Sequence, residues 1–157
     1  MRSLKLLLGA MFALLIASGV SVVAQDKSSQ STASYVPSLG DVMSAIQLRH
    51  SKLWYAAKQK NWPLADYELV QLDESLKKAT RSYANMPSSD MITTDKLVIL
   101  VGEAIRTKND SKFDQAFAQM TAECNSCHKA AGRDFIYVRR PPFASPYSNQ
   151  MFAPLKR

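Results

Sequence analysis

The chain has 157 residues, 20 of them basic and 13 acidic, for a formal charge of +7. That length suits one domain and leaves little room for a second. The basic residues are scattered, with no helix-turn-helix pattern and no interleaving of aromatic and basic side chains, which argues against nucleic acid as a partner.

The N-terminus reads first. Arg2 and Lys5 precede an apolar run from Leu6 to Val23, which ends in Val22-Val23-Ala24 before Gln25. This is the pattern of a cleavable secretory signal over residues 1–24. An uncleaved membrane anchor is the competing reading, and Gly9, Ser18, Gly19 and Ser21 inside the run count against it. Cleavage would leave about 133 residues in the periplasm, with no integral membrane segment. Arg2 and Lys5 leave with the signal, so the mature charge is +5, from 18 basic and 13 acidic groups. Such a surface could steer the protein toward acidic partners or anionic lipid.

Residues 25–37 are rich in Ser, Thr and Gln and read as a flexible leader. A first helix is expected from Leu39 to about Lys60, capped by Ser38. It carries Leu39, Val42, Met43, Ile46, Leu53, Trp54 and Ala57 at steps of three and four. Asn61-Trp62-Pro63 makes the turn into a second helix, with Ala65, Leu69, Leu72, Leu76, Ala79 and Tyr83 on one stripe. That helix should stop near Asn85 and Pro87. Residues 86–92 are expected as a polar connection, and a third helix from Thr94 to Thr107, with Leu97, Leu100, Val101 and Ala104 inward. Asn109-Asp110 marks the start of a fourth helix. It aligns Phe113, Phe117, Met120, Cys124 and Cys127 and ends near Gly132. Four amphipathic helices with short connections predict an all-α fold, an antiparallel up-down-up-down four-helix bundle over residues 38–132.

Residues 133–157 differ in kind. Pro141, Pro142, Pro146 and Pro154 forbid a continuation of the helix, and Phe135-Ile136-Tyr137-Val138 is a short β-prone run. Five aromatics (Phe135, Tyr137, Phe143, Tyr147, Phe152) argue for an ordered, proline-rich C-terminal coil wrapped over the bundle.

The chemistry lies in Cys124-Asn125-Ser126-Cys127-His128, the spacing of a c-type haem attachment site. Two thiols three positions apart lie on one side of a helical turn, where each can add to one haem vinyl group. The next residue, His128, can then offer its imidazole to the iron as an axial ligand. Three other readings compete. A disulfide is permitted by export, but three-residue spacing on a helix is a reactive geometry rather than a stapling one. A thioredoxin-like pair would need a βαβ context. A zinc site would need a fourth ligand, for which His50 is the only other strong candidate.

A four-helix pattern with Cys124-x-x-Cys127-His128 near the end of its last helix resembles the cytochrome c prime superfamily, the class II c-type cytochromes, over residues 38–131. Gln47-Leu48-Arg49-His50-x-Lys52-Leu53-Trp54 and Ser148-Asn149-Gln150-x-Phe152 are similar to an uncharacterised group of proteobacterial cytochromes. The resemblance implies one covalent haem c in a periplasmic bundle. Members are either five-coordinate and gas-binding or six-coordinate and electron-carrying. The long proline-rich tail departs from the usual member, which ends soon after the haem histidine.

The sixth ligand decides between those two behaviours. Met43, His50, Met86, Met91, Met120 and Met151 carry suitable donor atoms. In an up-down-up-down bundle the end of the fourth helix lies beside the start of the first. His128 then stands roughly 5 Å from that edge, Met43 roughly 6 Å and His50 about 16 Å, at 1.5 Å per residue. Met43 is therefore the expected ligand, with His50 the alternative. Met43 also matches the position at which the six-coordinate members of the family place their ligand. Core filling is the competing role for Met43, and a buried, hydrogen-bonded state the competing role for His50. Met120 is expected to pack against the haem. Arg139 and Arg140 could pair with its propionates.

The expected function is a mono-haem electron carrier and not an enzyme. The alternative is a five-coordinate NO- or CO-binding protein. Peroxidase-like activity is the third reading, and the sequence offers no clear distal acid–base set for it. An acidic redox protein is the expected partner. A homodimer is one arrangement left open.

Overall fold

Three helices begin on side chains that the sequence singles out as caps. In the computed structural model, which describes residues 35–84 and 86–155, α1 spans Leu39–Lys58, α2 Trp62–Ser82, α3 Ser88–Arg106 and α4 Asp110–Ala130. Ser38 accepts from the Asp41 amide, Asn61 from that of Leu64 and Asn109 from that of Lys112, at 3.2, 3.3 and 2.9 Å. Each bond satisfies an amide that the first helical turn leaves without a partner. The expected signal segment and nearly all of the leader lie outside the described residues. The chain divides into Met1–Tyr35 and Val36–Arg157, and the description below concerns the second unit.

The third helix departs from expectation. It begins at Ser88, six residues before Thr94, with Pro87 at the cap position and no capping side chain. Its buried face also differs: Leu100 is 44% exposed, while Met91, Thr94, Val101, Ala104 and Ile105 are buried. The turns after α1 and α3 use lysines where glycine is usual. Lys60 and Lys108 adopt positive φ, 61° and 51°, so that Asn61 and Asn109 can donate back to Ala56 and Ala104.

The helices form an all-α four-helix bundle, with no strand among the described residues. Loops of three to five residues make sequential helices antiparallel neighbours. α1 packs broadly on α2 and α3 on α4, whereas α1 and α4 meet only narrowly. Where they do meet, Trp54, Phe113 and Phe117 interlock with ring centroids 5.1 to 6.2 Å apart, and Trp62 of α2 joins at 6.4 Å from Phe113. This aromatic block, with Leu53, Ala57, Leu69, Val101 and Ala104, closes one end of the bundle. Arg49 of α1, itself partly exposed, donates to buried Glu68 of α2 at 2.9 Å.

Residues 133–155 contain no helix or strand, and only part of this stretch packs. Val138 and Phe152 are buried. Phe152 and Tyr147 meet the Tyr55 ring, whose hydroxyl donates to the Ala144 carbonyl at 3.2 Å. Phe135, Tyr137 and Phe143 stand 77, 76 and 93% exposed, so two of the five tail aromatics carry the packing rather than all five. No helix among the described residues is long and apolar enough to cross a membrane.

Candidate functional site

At the end opposite the aromatic block, α1 and α4 part around a cavity of about 700 Å³. Its wall is assembled from the first half of α1, the last half of α2, the α2–α3 loop, Thr94 of α3, the last half of α4 and the start of the tail. The lining is predominantly apolar, and the volume lies within the usual range for a cofactor site. Met43, His50, Cys124, Cys127 and His128 all line it, so the residues proposed from sequence are brought together.

Both cysteines are free thiols, half-buried on the last turns of α4. Burial, with smaller contributions from Cys127 and Glu123, pushes the Cys124 thiol up to about 11. Cys127 is raised as well, by burial first and then by Asp90 and Glu123. A redox-active pair needs the opposite shift, because the thiolate is the attacking species. Among the described residues, no three His, Cys, Asp or Glu side chains are grouped as a metal cage. A tetrahedral zinc site built from protein ligands would require one.

His128 is oriented from outside its own helix. Gly132, with φ +66°, ends α4: the amides of Gly132 and Arg133 donate to the carbonyls of Lys129 and His128 at 3.0 and 2.7 Å. This paired closure reverses the chain, and glycine supplies the left-handed conformation that it needs. The reversed segment carries Ile136 back to His128, where Nδ1 lies 2.9 Å from the Ile136 carbonyl oxygen. A carbonyl can only accept, so Nδ1 holds the proton, and the lone pair of the neutral ring lies on Nε2. That is the tautomer a metal ligand of this kind requires.

His50 is 2% exposed, stacked on Phe117 at 4.4 Å, and burial lowers its pKa from 6.5 to about 4. Its Nε2 is 2.8 Å from the Thr121 hydroxyl, which donates to the Phe117 carbonyl. The hydroxyl oxygen therefore accepts from Nε2–H, a buried and satisfied state. The cavity nevertheless reaches as deep as His50, although rise along the helix had put it above the iron's level. Met43 is half-buried near the mouth of α1, and Met120 is 1% exposed on α4, in the wall and beside the core. Met86 also lines the cavity, whereas Met91 is a core residue and Met151 is 64% exposed.

Arg139 and Arg140 line a separate surface depression with Lys58 and Asp114, where the Arg140 guanidinium sits 5.3 Å from the Trp54 ring centroid. Arg133 lines the main cavity instead. Sequence reading passed over three residues here: Arg133, Thr121 and Asn125. Arg133 had a signal, its position directly after the helix-ending glycine. The other two are polar residues on a helix, with nothing local to mark their partners. No family model, curated protein or solved structure matches the chain.

Proposed function

We propose that this chain is an exported mono-haem c-type cytochrome of the four-helix, class II kind, working as a periplasmic electron carrier. One observation carries the reading: both thiols of a Cys-x-x-Cys-His motif line one apolar cavity with a histidine whose Nε2 is left free. The residues fit the group. Cys124 and Cys127 would each add S–H across one vinyl double bond, so nothing leaves and two thioethers form. His128 would supply the axial nitrogen, with its proton fixed on Nδ1 by the Ile136 carbonyl. Met43 would supply a thioether from the opposite helix; His50 is the second candidate, and its Nε2 is already engaged by Thr121. Arg133 would face the propionates. A bound haem supplies a one-electron ferric/ferrous couple, and the apolar wall keeps water from it.

The haem should survive acid–acetone extraction, and joint Cys124→Ala and Cys127→Ala substitution should abolish that. A mature mass equal to the bare polypeptide, after expression with a haem-ligation system, would sink the proposal. A low-spin ferric spectrum marks a carrier with both axial positions filled. Met43→Ala should then turn the iron high-spin and admit carbon monoxide, while His50→Ala leaves the spin state as it was. If His50→Ala gives the high-spin spectrum, the ligand is His50. A wild-type protein that is already high-spin and binds carbon monoxide readily would be the gas-binding alternative.

A further inference from the structure

We propose that Asn125 is a positioning residue: it latches residues 133–138 across the end of α4 and so fixes the imidazole of His128. The proposal rests on the haem reading above for its consequence at iron, and on hydrogen bonding alone for its consequence at His128. Asn125 lies between the two cysteines of the motif. Its side-chain Oδ1 accepts from the Val138 amide, and its Nδ2 donates to the Val138 carbonyl, both at 2.7 Å. One carboxamide thereby satisfies both backbone groups of a residue thirteen positions away. Nδ2 also reaches the Thr121 carbonyl at 3.2 Å, which ties the carboxamide to its own helix.

The segment has few other supports. Gly132 anchors its start, and a single turn bond joins the Ile136 amide to the Arg133 carbonyl at 2.9 Å. Phe135 and Tyr137 are 77 and 76% exposed and contribute little packing, whereas Val138 is buried. Ile136, whose carbonyl meets His128, stands midway between the glycine turn and the Asn125 latch. Removing the latch frees the far end of the segment, and the carbonyl that holds the Nδ1 proton is no longer kept in place. An imidazole that donates from Nδ1 to a carbonyl is a stronger donor at Nε2 and favours ferric iron. Losing that bond should raise the reduction potential.

Asn125→Ala tests this from the helix side and Val138→Pro, which deletes the amide, from the tail side. In the full chain with haem attached, each should keep the thioether-linked haem and raise the potential. The 15N spectrum of His128 in the reduced protein should report the same loss of the Nδ1 hydrogen bond. The double variant should move no further than the larger single one, because both break one contact. A wild-type potential and unchanged His128 signals in Asn125→Ala would overturn the latch and leave the haem reading intact. If the chain takes up no haem, the functional reading fails and the 15N spectrum decides alone. A single Nδ1–H tautomer in wild type, giving way to a tautomer mixture in Asn125→Ala, would support the latch. Identical spectra would overturn it.

Discussion

The two ends of the bundle are built from the same four helices and differ in what fills the space between α1 and α4. At one end, Trp54, Phe113 and Phe117 meet ring on ring, and the interior is closed by side chains alone. At the other, Met43, Met120 and the two cysteines face a cavity of about 700 Å³. Large rigid rings occupy the volume in the first case. In the second, short or flexible side chains leave it for something else. Stability and chemistry are therefore separated along the bundle axis.

That separation can be broken by substitution at either end. Phe113→Ala, 1% exposed within the ring cluster, should cost about 4 kcal/mol in urea unfolding without altering the optical spectrum of attached haem. A changed spectrum would mean that the ends are coupled. Next in size is the effect of acid. His50 has a folded pKa of about 4 against 6.5 unfolded, so the unfolded chain takes up the proton first as pH falls. Its contribution to stability should be complete above pH 6.5 and be lost as pH falls toward 4, a decline of about 3 kcal/mol. His50→Gln should flatten that slope; an equal slope in the variant would assign the loss to other groups.

The tail divides in the same way. Deleting residues 141–157 removes buried Phe152 and its contact with Tyr55, and should lower stability by about 2 kcal/mol. The Ile136 carbonyl and the Val138 latch would remain, so the potential of the attached haem should not move. A shifted potential would show that the distal tail also shapes the site. The smallest effect is a gain. Lys60 sits at φ 61° beyond the closed end, and Lys60→Gly should stabilise by about 0.5 to 1 kcal/mol, measured as a rise in Tm. No gain would show that the glycine's extra unfolded-state entropy or loss of the Lys60–Asp110 ion pair offsets the relief.

The aromatic end was legible from sequence because its signals are local. Asn61 and Asn109 cap α2 and α4 at this end as their residue types suggest, and the spacing of Phe113 and Phe117 sets the buried face of α4. The start of α3 was not, because Pro87-Ser88-Ser89-Asp90 suits a loop and a helix N-terminus equally well. Nor were the lysines at positive φ, since nothing in a lysine advertises the left-handed region. The motif residues could be read from spacing, and their meeting with Met43 from topology. The support of His128 could not: the Ile136 carbonyl and the Val138 amide and carbonyl make the contacts, and no residue type in that segment marks them. Charge alone made Arg139 and Arg140 candidates for the propionates, whereas Arg140 lies over Trp54.

On the proposed haem reading, the narrow seam between α1 and α4 would also bear on how a flat, rigid guest enters. Few contacts tie α1 to α4, so the first turns of α1, where Leu39, Gly40 and Met43 line the cavity, should part from α4 at a free energy below that of global unfolding. Amide hydrogen exchange before haem attachment should be fastest there and slowest around Phe113 and Val101, both at most 1% exposed. Entry would then require only fraying at one end, while the ring cluster holds α1, α2 and α4 together at the other. If thioethers form as proposed, the same amides should slow, since the guest would then pack against the first helix.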